Sequence, residues 1–140
     1  MKKFVSSLLV VLVFSFSLFC FTGCTHKTYH LKGVVDPQTS TVTPISEVDS
    51  ETREYIHDNF GTNPTIRLKA NGELIFAYTI TEPGLEVNYT HTGTYSINKE
   101  ERIITFSFPK TDGSGTNEVP HQFEDGKIVY FDGVNFLLFN

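Results

Sequence analysis

Thiol groups are absent from most of this sequence. Its two cysteines are Cys20 and Cys24, and no cysteine lies from Thr25 to Asn140. A disulfide framework, a thiolate nucleophile and a cysteine-based zinc site are therefore excluded for that part of the chain.

Positive charge is also scarce. The chain has 11 lysines and arginines against 16 acidic residues, a formal charge of −5. Without Lys2 and Lys3 the charge falls to −7, and the remaining basic residues form no cluster. Such a surface repels phosphate backbones, so we predict no binding to nucleic acid.

The usual catalytic motifs are missing as well. There is no glycine-rich phosphate loop, no Gly-x-Ser-x-Gly, no His-Glu-x-x-His and no calcium-loop spacing. The five histidines are scattered. Only His91 and His121 fall on neighbouring inward phases, and hydrogen-bonded histidines near strand ends explain them better than a metal site. We predict a non-enzymatic protein without catalytic residues, cofactor or metal.

What the sequence does have is an N-terminal export signal. Lys2 and Lys3 precede an apolar run from Phe4 to Phe21, and small residues follow at Thr22 and Gly23, just before Cys24. A positive start, a hydrophobic core and small residues before a cut site are typical of secretory signals.

The run Phe21-Thr22-Gly23-Cys24 resembles the signal of bacterial lipoproteins, with phenylalanine where the family usually has leucine. The resemblance implies cleavage after residue 23, a diacylated Cys24, and a domain 24–140 held on the outer face of the cell membrane. The alternatives are an uncleaved anchor, since about 18 apolar residues nearly span a bilayer core, and a conventional cut with release.

The remainder has the size of one domain and the composition of a folded one. A first strand is predicted from Tyr29 to Val35, and a helix near residues 46–60 that Ser46 caps and Gly61 ends. From Pro64 onward the apolar residues alternate with a period of two, which indicates strands.

Turn signals divide this region into hairpins. Asn71-Gly72 and Glu82-Pro83-Gly84 mark the first two turns, and Gly93 separates two further predicted strands. The count is about eight short antiparallel strands, and such a meander favours a closed or nearly closed barrel because closure removes exposed edges.

The region also resembles the small lipocalin-like domains of bacterial lipoproteins, although their usual Gly-x-Trp is absent. The matching segments are Asn71-Gly72-Glu73-Leu74, Gly93-Thr94-Tyr95-Ser96-Ile97, Ile103-Ile104-Thr105-Phe106 and Val134-Asn135-Phe136-Leu137-Leu138-Phe139. The resemblance implies an all-β lipocalin-like barrel or half-barrel.

Several aromatic residues occupy otherwise apolar phases of the predicted strands. Ring surface combined with hydroxyl groups suits a pocket for a small apolar or amphipathic ligand. The candidate ligand-binding residues are Tyr78, Tyr89, Tyr95, Phe106, Phe108 and Tyr130. The alternative is that these side chains fill a solid core.

Two functions follow from these patterns. The first is a lipid-anchored, monomeric, extracytoplasmic domain that binds such a ligand. The second is an interaction module with a solid core, which presents a sheet edge or a loop to a protein partner of the envelope or the host.

Overall fold

A computed structural model describes residues 26–140, which contain nine strands and one helix. The predicted signal, residues 1–23, and the predicted lipid site at Cys24 lie outside the described residues. The strands are β1 (His26–Val35), β2 (Val42–Pro44), β3 (Thr62–Lys69), β4 (Glu73–Glu82), β5 (Leu85–Asn98), β6 (Ile103–Pro109), β7 (Thr116–Glu124), β8 (Lys127–Phe131) and β9 (Phe136–Phe139), and the helix is α1 (Ser50–Phe60).

The predicted all-β barrel is confirmed, and it is closed. From β3 to β9 each strand pairs with the next, and β1 pairs with both β3 and β9. Leu31 lies opposite Phe139 at the closing pair. The short strand β2 pairs only with β1 and lies outside the eight-stranded barrel. All pairs are antiparallel, as in the lipocalin-like barrel that the sequence predicts.

The two hairpin turns are where the sequence places them. Residues 70–72 join β3 to β4, with Gly72 at φ 87°, and Pro83-Gly84 joins β4 to β5, with Gly84 at φ 80°. Glycine adopts these positive φ angles without the steric cost that a side chain brings.

The helix begins later than predicted. It starts at Ser50, and its cap is Asp49 rather than Ser46. One carboxylate oxygen of Asp49 accepts the backbone N–H of Thr52 and the other accepts the Thr52 hydroxyl, both at 2.8 Å. These hydrogen bonds lower the pKa of Asp49 and satisfy a free amide at the helix start. Gly61 ends the helix as predicted, with φ 59° and its N–H bonded to the His57 carbonyl.

The prediction of two strands around Gly93 is wrong. Leu85 to Asn98 is one strand of 14 residues, and Gly93 lies within it. A Cβ at Gly93 would collide with the backbone oxygen of Ser107 and lie 2.9 Å from the Phe108 ring. Gly93 is therefore not a turn residue. It lets β5 approach β6 closely at one point.

The inward faces of the strands fill the barrel. The largest fully buried side chains are Phe106, Phe139, Ile66, Leu74, Ile104, Ile128 and Leu137. Ile56 and Phe60 of α1 join the same core. Among the described residues no helix is long and apolar enough to cross a membrane.

The two ends of the barrel differ. We call the end that carries His26 and turns 70–72, 99–102 and 125–126 the near end. The opposite end, with turns 83–84, 110–115 and 132–135 and the last residues of α1, is the far end.

Candidate functional site

The barrel wall is split at the far end, between β5 and β6. Pairing of these two strands runs from Asn98 opposite Ile103 to Thr94 opposite Ser107 and stops there. β5 continues to Leu85, paired only with β4. Pro109, at the end of β6, has no N–H with which to continue the ladder. The hairpin of β4 and β5 therefore extends beyond the wall.

An open cleft of about 490 Å³ occupies this split. Its floor and sides carry the ring side chains Phe60, Phe76, Tyr78, His91, Phe108 and Tyr130. The edge of β5 lines one side at Thr90 to Thr92, and the end of β6 lines the other side at Phe108 and Pro109. The volume is in the range of small-molecule pockets, roughly 300–1,000 Å³.

The rings of the cleft are held by packing against one another. Tyr130 stacks on Phe76 with centroids 5.8 Å apart, and Phe60 meets both rings edge-on at 6.0 and 6.2 Å. Such offset and edge-to-face pairs are favourable aromatic geometries. The cleft therefore has an ordered apolar floor.

Of the six predicted ligand-binding residues, Tyr78, Phe108 and Tyr130 line the cleft. Tyr89 stacks on Tyr78 at 5.2 Å and is 40% exposed, so it lies beside the cleft. Phe106 is only 1% exposed and lies in the core next to Tyr130 and Phe108.

Tyr95 lies elsewhere. Its hydroxyl donates to the Lys69 carbonyl oxygen at 2.6 Å, at the near end of the barrel. Inward-facing tyrosines therefore lie at both ends of the barrel. Alternation along a strand shows which face of the sheet a residue occupies, but not its position along the barrel axis.

Three ring residues of the cleft are not among the six predicted ligand-binding residues: Phe60, Phe76 and His91. Phe60 is the last residue of α1, and His91 faces Phe76 across the β4–β5 pair. The His91 Nε2 lies 3.4 Å from the Tyr78 hydroxyl. The inward phase of β5 already pointed to His91. No local signal places the end of α1 over the split.

The polar chemistry of the floor centres on Tyr130. Burial raises the pKa of its phenol, and the neighbouring Asp132 carboxylate raises that pKa further, as do Tyr55 and Tyr78. Asp132 Oδ1 accepts the amides of Val134 and Asn135 at 2.8 and 2.6 Å. Tyr130 therefore stays a neutral hydroxyl, able to donate or accept a hydrogen bond.

His121 is a buried histidine below the cleft. It is 4% exposed, and its ring stacks on Tyr130 at 4.4 Å and lies 4.8 Å from Phe106. The backbone N–H of Phe131 donates to its Nδ1 at 3.2 Å. Strand pairing between β7 and β8 ends at Gln122 opposite Val129. The imidazole therefore accepts the N–H of Phe131, which lies just beyond that last strand pair.

Burial lowers the pKa of His121 to about 4, below the usual value of about 6.5. Between about pH 6.5 and pH 4 the imidazole is therefore protonated in the unfolded chain and neutral in the folded protein. The free energy of unfolding is unaffected by this group above pH 6.5, and it decreases as the pH falls from 6.5 through 4.

We predict that the free energy of unfolding falls by about 3 kcal/mol from this group between pH 7 and pH 4. Urea unfolding of wild type and His121→Gln at both pH values measures the effect, because glutamine does not titrate and its side-chain oxygen can accept the Phe131 amide. Phe131→Ala, which removes an exposed ring and no titratable group, is the control and should keep the wild-type pH dependence. An equal pH dependence in wild type and His121→Gln would contradict the prediction.

No metal site is evident among residues 26–140, where no three His, Cys, Asp or Glu side chains are grouped. His91 and His121 lie on β5 and β7, with β6 between them. His91 and His121 have the hydrogen-bonding and packing roles given above.

Charge divides the two ends of the barrel. The far-end segments 54–61, 82–86, 110–116 and 132–135 carry six acidic residues and one basic residue, a net charge of −5. The near-end segments 26–27, 69–73, 98–103 and 124–127 carry five of each. Potentials summed over such a surface attract ions of opposite sign, so the cleft opens within a negative field.

Comparison with known proteins gave no relative. The sequence matches no known protein family, no curated protein and no solved structure.

Proposed function

We propose that this protein is a lipid-anchored, non-enzymatic extracytoplasmic domain that binds a small apolar or amphipathic ligand in the cleft between β5 and β6. The observation that carries the proposal is the floor of packed rings in an open cleft of about 490 Å³. Binding a ligand over this accessible apolar surface is favourable because it removes the surface from water.

The binding space differs from a cavity at the barrel centre. Phe106, Phe139 and five aliphatic side chains fill the interior. A ligand would therefore bind at the far end, against Tyr78, Phe108 and Tyr130. The tyrosine hydroxyls there can orient the polar group of an amphipathic molecule.

The position of β1 suits the proposed anchor. β1 begins at His26, two residues after Cys24, at the near end. Its ten residues extend roughly 33 Å towards the far end. An anchor on Cys24 would thus leave the cleft facing away from the membrane, where it takes ligands from the aqueous side. The near-neutral end would face the lipid and the anionic end would face water.

The test uses the uncharged fluorescent probe N-phenylnaphthylamine and the chain of residues 25–140, since all nine strands and the core lie within His26–Asn140. We predict saturable binding, and about tenfold weaker binding by Phe108→Ala, because the lost ring contact is worth about 1.4 kcal/mol.

Phe131→Ala is the matched control. Phe131 is 43% exposed and stacks on Phe136, so the same substitution removes a ring that does not line the cleft. It should bind the probe like wild type. No saturable binding, or equal losses in the two variants, would reject the cleft as the site.

A further inference from the structure

We infer that the cleft and the adjoining edge of β5 together bind an extended, positively charged peptide, which adds to the barrel as a strand beside β5. The inference rests on the proposed function, because the cleft would hold the peptide's apolar side chains. It names the ligand class as a peptide with alternating basic and apolar residues.

The first step is the direction of the backbone groups along β5. The Tyr95 N–H donates to the Gly72 carbonyl at 3.0 Å, on the β4 side of the strand. In an antiparallel ladder, successive residues direct their N–H and C=O groups to opposite neighbours. The register between β4 and β5 has no bulge. Odd-numbered residues of β5 therefore face β4.

The even-numbered residues Glu86, Asn88, Thr90 and Thr92 face the other side. In the described part of the chain no strand pairs with them there, since β6 pairs only from Thr94 onward. Four N–H and four C=O groups lie along this edge with a repeat of about 6.8 Å, twice the rise per residue of an antiparallel strand. That pattern matches the backbone of an extended peptide.

The composition of the edge favours pairing. Exposed edges are usually blocked by lysine, proline or a bulge. The segment Leu85–Thr92 has neither lysine nor proline, and Glu86 is its one charged residue. Its valine, tyrosine and threonines suit a strand.

The cleft supplies the specificity. Thr90 to Thr92 form one side of it, and the aromatic floor lies next to them. Side chains of an added strand alternate between two faces, so every second one would lie over Phe108 and Tyr130. The floor selects apolar side chains at those positions.

Charge selects the other positions. The far-end segments have a net charge of −5, and the hairpin of β4 and β5 carries Glu82 and Glu86 near its tip. Basic side chains on the outer face of the peptide would lie in this negative field. An acidic peptide of the same length would be repelled.

The shape of the split favours a peptide over a second copy of the chain. Phe108 and Pro109 bound the cleft opposite β5, so a strand added to β5 would have these residues on its other side. In a second copy, β5 is already paired with β4 along all ten residues from Glu73 to Glu82. A second copy would therefore bring two paired strands to the split, twice the width of a single peptide.

The probe is the peptide Lys-Phe-Lys-Phe-Lys-Phe-Lys with blocked ends, added to residues 25–140. Amide-resolved hydrogen exchange by NMR is the readout. We expect new protection at Glu86, Asn88, Thr90 and Thr92. Val87, Tyr89 and His91 should change little, because β4 already holds their amides. Replacing the lysines with glutamates should weaken binding at least about tenfold, since the like charge of the far end repels the acidic peptide.

A matched pair of variants tests the edge. Thr90→Pro removes one free N–H without breaking the β4 ladder, and should weaken peptide binding about tenfold. Thr81→Pro is the control. The backbone N–H of Thr81 points away from β5. Thr81 also lies beyond Thr79, the last residue of β4 that pairs with β3. It should bind the peptide like wild type. Peptide methylated on alternate backbone nitrogens tests the same hydrogen bonds without altering the protein.

The outcomes separate the inference from the proposed function. Dye binding without peptide binding, or peptide binding without protection of the four amides, would overturn the inference and leave the cleft as a small-molecule site. If neither the dye nor the peptide binds, both the inference and the proposed function are overturned. Protection of the four amides that rises with protein concentration, in the absence of peptide, would show that a second copy occupies the edge and would overturn the peptide as its partner.

Discussion

Replacing Cys24 with alanine should abolish the labelling of this protein by a clickable fatty acid in a bacterial host. The proposed lipid is carried on the sulfur of this residue, and an alanine methyl group cannot be acylated. The precursor should then keep its signal, because the proposed cut lies just before Cys24. Gel shift and in-gel fluorescence of the labelled protein measure both effects.

Cys20→Ala is the control for this experiment, since Cys20 lies within the predicted signal and would leave with it. It should be labelled and processed like wild type. Labelling that survives in Cys24→Ala would contradict lipidation at this residue. An unlabelled wild-type protein that stays in the membrane at precursor mass would indicate an uncleaved anchor, and one found in the medium would indicate release.

Truncating Phe106 to alanine should lower the free energy of unfolding by about 3–5 kcal/mol, the usual loss for a large ring removed from a packed core. Phe106 is 1% exposed, and the rings of Phe108, His121 and Tyr130 lie 4.8–6.5 Å from its own. These neighbours belong to three different strands, so the wall cannot collapse locally to fill the space. Urea unfolding followed by circular dichroism measures the loss.

The comparison for this substitution is Phe131→Ala. Phe131 is 43% exposed on the outer wall, and its main contact is the ring of Phe136 at 4.6 Å. We expect it to cost about 1 kcal/mol or less. Similar losses at the two positions would mean that the interior is not packed as the structure shows. A loss at Phe106 that is several times larger would agree with a solid barrel interior.

Much of the fold follows from local patterns. Asn71-Gly72 and Pro83-Gly84 predict their turns because glycine tolerates the positive φ that a tight hairpin needs. Gly61 predicts the end of α1 for the same reason. Gly93 led to an error, since glycine is also used where two backbones approach closely, and only the Ser107 oxygen next to it tells the two uses apart.

The candidate site could be predicted only in part. Alternation correctly indicates that Tyr78, Tyr95, Phe106 and Tyr130 face inward. It cannot indicate that Tyr78 and Tyr130 reach the cleft, that Phe106 is buried beneath it, or that Tyr95 bonds Lys69 at the near end. Depth along the barrel depends on the register of each strand with its neighbours.

The role of His121 shows a similar limit. The sequence suggests a hydrogen-bonded histidine near a strand end, which is confirmed by its bond to the Phe131 amide. The lowered pKa follows from burial against Phe106 and Tyr130, and these residues come from β6 and β8. Solvent exclusion by distant segments has no signature at position 121 itself.

Residue type and spacing established most of the strands and turns, the one helix of residues 26–140, the acidic surface and the N-terminal signal pattern. Each of these depends on interactions within a few residues or on composition. Closure of β1 onto β9, which joins Leu31 to Phe139, and the split between β5 and β6 arose only on folding. They depend on strand twist, stagger and packing among residues far apart in the chain, and the cleft and the free edge exist because of them.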